Sequence, residues 1–229
     1  PFLNELGLEA RGLRWAQPEI DCVHPLDDGS AGVMYRSIDR TAEALGADGE
    51  RWRRIFGSPV NRFENLIAGV TKPVLRIPRH PLTMARFGMI AATPATSLAR
   101  VWRTEQAKAL WAGVAAHALH RLDRPMTSAV GAMLVVAGHA HGRVVAEGGS
   151  SAISDALLAE LLEHGGRVET GHRVSSVGDL PPFDVLMLDV SPLGAMSILE
   201  DQLPRRVARA YGSFKHGPGA FKVDFAVED

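Results

Sequence analysis

Two stretches of this chain have residue types and spacing suited to ligand chemistry. One is Gly148-Gly149 ahead of a helix-patterned segment, and the other is Asp189-Val190-Ser191-Pro192 at the end of an apolar run. Adjacent glycines leave the backbone bare, so Gly148 and Gly149 either let a ligand approach at a helix start or simply turn the chain into the helix. Val190 and Ser191 close a run of the kind buried in parallel sheets, and ligands of doubly wound sheets gather at such strand ends. Ser191-Pro192 is equally an ordinary beginning for a following helix.

Other chemistry is thinly represented. His117 and His120 stand three apart, and His139 and His141 flank one residue. A metal site needs a third ligand and an outer shell, and neither His-Glu-x-x-His nor a cysteine pair occurs, so no metal is expected and these histidines read as structural or solvent-facing. There is no G-x-S-x-G elbow, and Gly149-Ser150-Ser151 lacks the flanking glycine, so no hydrolase triad is assigned. No G-x-G-x-x-G follows any strand, and that loop is what lets a backbone approach a dinucleotide pyrophosphate. The catalytic residue is unknown at this level.

The elements that would position these residues follow from pattern. Asp27-Asp28-Gly29 between Ile20–His24 and Ala31–Tyr35 predicts a hairpin. Ile38–Leu45, ending at Gly46, predicts a helix, and Asp48 is placed to cap a longer one carrying Trp52, Ile55, Phe56, Val60, Phe63, Leu66 and Ile67, bent or broken by Pro59. Pro73, Pro78 and Pro81 punctuate a connector. Short helices are expected over 82–92 and 94–102, a longer one over 105–119 capped by Thr104, and an apolar one over 127–140.

The segment after Gly149 predicts the clearest helix, with Ile153, Leu157, Leu158, Leu161 and Leu162 on one face and Gly165 beyond its end. Val168–Val177 reads as β-like, and Val185–Val190 as a strand buried on both faces. Leu203–Tyr211 reads as helical, and Phe221–Val227 alternates like a half-buried strand.

The 229 residues carry 25 Lys+Arg against 26 Asp+Glu, a formal net charge of -1, so no overall basic field attracts nucleic acid. Arg51-Trp52-Arg53-Arg54 reads as a helix turning Trp52 inward with its arginines solvated. The lone Cys22 excludes an intrachain disulfide framework and suits a reducing cytoplasm. The longest apolar run, about 129–138, falls short of the roughly 18 to 20 residues that cross a bilayer. Peripheral membrane contact stays open. Pro1-Phe2-Leu3 is neither a native start nor a processing site, and the chain is expected to be an internal fragment.

The chain resembles the bacterial phytoene desaturase-like branch of FAD-dependent oxidoreductases. The resemblance runs through almost the whole sequence. It is carried by the order and spacing of His24-Pro25-Leu26-Asp27-Asp28-Gly29, Arg79-His80-Pro81, Leu122-Asp123-Arg124-Pro125, Gly148-Gly149-Ser150, Leu188-Asp189-Val190-Ser191-Pro192 and Gly217-Pro218-Gly219-Ala220-Phe221-Lys222-Val223-Asp224.

What the resemblance implies is an α/β (α+β overall) architecture. Residues 1–37 and 215–229 would form a substrate-side sheet, 38–140 a mostly helical cap, and 141–214 part of an FAD-binding α/β unit. The cofactor would be FAD, contacted by Gly148, Gly149, Val190 and Ser191 and, through its backbone at the adenine, by Val174. The short Gly178–Phe183 connection departs from the long β meander of many relatives. Phe87, Met84, Met89, Trp102, Trp111, Met126 and Met133 would wall a dry cavity, or pack against one another.

The substrate would be hydrophobic or uncharged, and the reaction dehydrogenation, desaturation or isomerisation at a flavin. The fragment alone is expected to be inactive and to bind FAD weakly or not at all. The rival readings are a non-catalytic interaction or lipid-like ligand-binding module, and an amine-oxidase-type flavoenzyme.

Overall fold

Asp28 sets the first element. Its carboxylate accepts from the Ser30 N–H at 2.9 Å and the Ser30 hydroxyl at 2.6 Å, while Gly29 takes a positive φ of 81°, so the chain reverses between β2 (Ile20–Pro25) and β3 (Ala31–Tyr35). The two strands pair antiparallel with Val23 opposite Val33. The computed structural model describes residues 2–71 and 79–225. Ahead of the hairpin lie the helical turn α1 (Phe2–Glu5) and the two-residue strand β1 (Trp15–Ala16).

Helices follow. α2 (Ile38–Ala44) starts where the Ser37 side chain accepts from the Arg40 N–H, and α3 (Gly49–Asn61) and α4 (Phe63–Val70) are separated at Arg62. Pro59 sits inside α3, and the helix ends two residues later. α5 (Pro81–Ala92), α6 (Ala95–Ala99), α7 (Glu105–Ala115) and α8 (Thr127–His141) complete the bundle, with Thr104 accepting from the Ala107 N–H at 3.3 Å as the cap of α7. Pro73 and Pro78, expected in a connector, lie outside the described residues.

The bundle core is aromatic. Trp52 lies 4.7 Å from Phe56 and 5.3 Å from Trp102, centroid to centroid, and Trp111 stands 6.1 Å from Phe56 while its indole N–H donates to the Ala95 carbonyl at 2.9 Å. A second, smaller core joins Leu8 and Leu13 to Ala156, Ile153 and Leu157, beside the antiparallel pair of β1 with β4 (Val145–Ala146). α9 (Ser151–Glu163), α10 (Pro192–Leu199) and α11 (Arg205–Gly212) follow. By contact the chain divides into Pro1–Glu160 with Ala220–Asp229, and Leu161–Gly219.

Among the described residues the fold is mostly helical, with two small two-stranded sheets and no Rossmann unit. This corrects several strand expectations. Val168–Val177 forms no strand and ends in a short 3-10 turn over Val177–Asp179. Val185–Val190 forms no strand and ends in a bend: Leu186 and Leu188 are half-buried, while Val185 and Met187 are 76% and 88% exposed, so one face is covered rather than two.

Phe221–Phe225 joins no sheet, so the hairpin has no third strand from it, and residues 226 and 227 lie outside the described residues. The physical reason is common to all three. Alternation and β-branching describe a surface that fits a pleat, but a strand also needs a neighbour for its N–H and C=O groups, and no other described segment pairs with these. No described helix is long and apolar enough to cross a membrane.

Candidate functional site

The glycine pair builds a bare corner. β4 ends at Ala146, Gly148 and Gly149 take φ of 81° and 100°, and α9 begins at Ser151. Only glycine holds two such residues in succession without strain. A Cβ added at either would meet nothing within 4 Å, so the corner is open rather than pressed against neighbouring atoms. The Gly149 N–H donates back to Ala146 at 3.1 Å, and its carbonyl accepts from Ala152, which locks the turn into the helix.

Val190 and Ser191 belong to the other unit, as does Val174. Ser191 accepts from the Gly194 N–H at 3.1 Å with Pro192 in the first turn, so its hydroxyl caps α10, the plainer of the two roles its sequence allowed. Val190 lines a cavity of about 330 Å³ whose walls are Leu186, Leu188, Pro192, Ala195, Leu199, Leu203 and Tyr211. Val174 is half-buried outside any helix or strand and does not line that cavity. Just beyond it, Asp179 accepts from the Ser175 and Ser176 N–H groups at 2.8 and 2.9 Å, and those bonds hold its carboxyl below the ordinary carboxylate range. Gly148 and Gly149 thus share one turn in the first unit, while in the second Val190 lines the cavity and Ser191 caps the helix beside it.

The proposed cavity-wall residues mostly pack against one another. Phe87, Trp102 and Trp111 are buried in the bundle core, with Met84 and Met133 against it, whereas Met126 is exposed. Met89 borders a groove of about 390 Å³ along α3 and α5.

Two buried polar groups have partners that the sequence does not specify. Asp48 was placed to cap α3, but its side chain makes no cap bond there. Its fully buried carboxylate instead accepts from the Arg103 N–H at 2.8 Å, the Thr104 N–H at 2.7 Å, the Thr104 hydroxyl at 2.8 Å and Arg51 at 2.9 Å. Burial pushes that carboxyl up, and the hydrogen bonds from Thr104, Arg103 and Arg51 outweigh it, leaving it below its ordinary range. Nothing short of the tertiary contact across 55 residues could have signalled this.

The second is His139, buried on α8. Its Nε2 accepts from the Trp52 indole and its Nδ1 faces the Arg36 carbonyl at 3.0 Å. The Cys22 thiol, half-buried on β2, is pushed up by burial, which makes it a poor nucleophile. Among the described residues, no three His, Cys, Asp or Glu side chains stand where they could hold a metal ion. No family model, no curated protein and no solved structure matches the chain.

Proposed function

We propose that this chain is part of an FAD-dependent oxidoreductase that dehydrogenates, desaturates or isomerises a hydrophobic or uncharged substrate. The observation that supports this most is the bare corner at Gly148 and Gly149, with both φ positive, open space at both Cβ positions and a 13-residue helix beginning two residues later. A corner of that form suits a cofactor that must come close to backbone. The resemblance to phytoene desaturase-like enzymes supplies the name of the cofactor.

The residues present fit part of FAD. Gly148 and Gly149 would offer bare backbone to it, and Val174 would offer its own backbone N–H and C=O to the adenine edge. Ser191, its hydroxyl engaged in capping α10, would hold the helix rather than the ligand. Bound flavin accepts a hydride from carbon, and the protein's share is orientation and exclusion of water. The outward faces of Val185 and Met187 suit a further layer of structure of the kind a doubly wound sheet supplies.

The test is flavin content. Protein purified from the complete reading frame around this chain is expected to carry one FAD per polypeptide, with a strand-G-x-G-x-x-G-helix segment encoded upstream of Pro1. A complete frame that encodes some other domain and purifies without flavin would overturn the proposal in favour of an interaction module. The 229-residue chain itself is expected to bind FAD weakly or not at all in calorimetry, because the pyrophosphate finds no Gly-rich loop in it.

A further inference from the structure

The groove along α3 and α5 owes its existence to how the bundle packs. Both helices lie against α8 rather than closely against each other, which leaves a trough whose floor is Ile55, Pro59, Ile90 and Leu98. Two arginines border it, Arg54 from α3 and Arg86 from α5, and Ser58 also lines it.

The two arginines on this rim have no ion-pair partner among the described residues. Neighbouring arginines on α3 are paired, Arg51 with Asp48 at 2.9 Å and Arg53 with Asp39 at 2.7 Å. Among the described residues, Arg54 and Arg86 make no ion pair or hydrogen bond, although Glu50 stands one turn before Arg54 on the same helix. The Ser58 hydroxyl likewise has no hydrogen-bond partner among them. Leu82 and Met89 stand on the same face of α5 as Arg86, at i and i+7 about its i+4, and are 73% and 68% exposed.

We propose that this groove binds a free single-chain amphiphile with an anionic head, the chain lying on Ile55, Pro59, Ile90 and Leu98 and the head held by Arg54 and Arg86. An apolar trough lined by two guanidinium groups that make no ion pair complements a carboxylate or phosphate on an alkyl chain better than a neutral hydrocarbon, which offers neither group an anion. The volume, about 390 Å³, stands near the low end for small-molecule sites and suits one alkyl chain rather than the two of a bilayer phospholipid. The proposal does not depend on flavin binding.

Calorimetric titration of the 229-residue chain with decanoate, with decyl phosphate and with decanol tests it, alongside sedimentation with anionic phospholipid vesicles. One-to-one saturable binding of the two anions, weaker binding of decanol and no vesicle binding are expected. Arg54→Ala and Arg86→Ala should each weaken the anions about tenfold, the worth of one charge-assisted contact, and leave decanol unchanged. Arg206→Ala, on α11 in the other unit, should change nothing.

Both groove arginines are exposed, and unchanged circular dichroism would verify the fold of each variant. Equal affinity for decanoate and decanol, no saturable binding, or anion affinity indifferent to both substitutions would each overturn the proposal. Vesicle binding without binding of the free amphiphiles would overturn it too, in favour of a membrane surface.

Discussion

The indole N–H of Trp52 on α3 donates to Nε2 of His139 on α8 at 2.9 Å, joining two helices at the centre of the bundle. An indole nitrogen only donates, so Nε2 must be an acceptor and the ring proton sits on Nδ1, where it donates to the Arg36 carbonyl at 3.0 Å. The ring is therefore neutral and both nitrogens are satisfied. Burial holds its pKa below the ordinary histidine value of 6.5.

From this follows a pH dependence. Because the folded-state pKa lies below 6.5, the unfolded chain takes up the proton first as the medium is acidified. The contribution of His139 to stability is complete above 6.5 and is lost as pH falls from there toward the lowered folded value. Urea unfolding should show stability declining through that window, with the decline reduced in His139→Gln. Parallel pH curves for the two proteins would show that the buried imidazole does not govern it.

Asp48 should be among the most sensitive positions in the bundle. Asp48→Ala strands the N–H groups of Arg103 and Thr104 and frees Arg51, a loss of about 3 kcal/mol or more. Asp48→Asn keeps an acceptor and should lose less. The folded pKa is depressed, so this contribution is present above the ordinary carboxylate value of 3.8 and fades as pH falls below it. A loss under about 0.5 kcal/mol for Asp48→Ala, the scale of an indifferent surface change, would contradict the network's role.

Two close approaches give contrasting substitutions. An alanine Cβ at Gly32 would lie 2.3 Å from the Gln106 carbonyl oxygen, and one at Gly113 would lie 1.8 Å from the His24 ring. Backbone cannot step aside, whereas a side chain can be shortened. Gly32→Ala and Gly113→Ala should each cost about 1–3 kcal/mol, and His24→Ala should relieve most of the second. The double-mutant cycle measures this, and strict additivity of Gly113→Ala with His24→Ala would rule the contact out.

Val174 distinguishes cofactor chemistry from packing. It is half-buried and unladdered, so Val174→Ala should alter stability modestly, while Val174→Pro removes its backbone N–H. If the complete protein carries FAD as proposed and that N–H pairs with the adenine, the Pro variant is expected to bind FAD about 1–3 kcal/mol more weakly. A folded Val174→Pro protein with unchanged FAD affinity would refute the assigned register.

Local chemistry was legible in the sequence, and distant partnership was not. The Asp28-Gly29 turn, the Thr104 cap and the inward side of Trp52 each depend on neighbours within a turn or two, and each stands where pattern put it. The strands expected over 168–177, 185–190 and 221–227 depend on a pleated neighbour elsewhere in the chain, which alternation cannot specify. Asp48 shows the same limit for a polar group: its sequence position suits a cap on α3, and its hydrogen bonds go to the start of α7 instead. Arg54 was indistinguishable from Arg51 and Arg53 until their ion pairs were seen.

The small core that brings Leu8 and Leu13 against Ala156, with Trp15 opposite Ala146 in the two-residue ladder, closes a loop containing the entire helical bundle. Closing so long a loop costs entropy before its few contacts return any free energy, so this clasp should form after the aromatic bundle has condensed. Being small, it should also open on its own. Amide exchange would then see the hydrogen bond from the Glu147 N–H to the Arg14 carbonyl break and remake while the protons of α7 and α8 stay protected, a latch that works independently of the body it fastens.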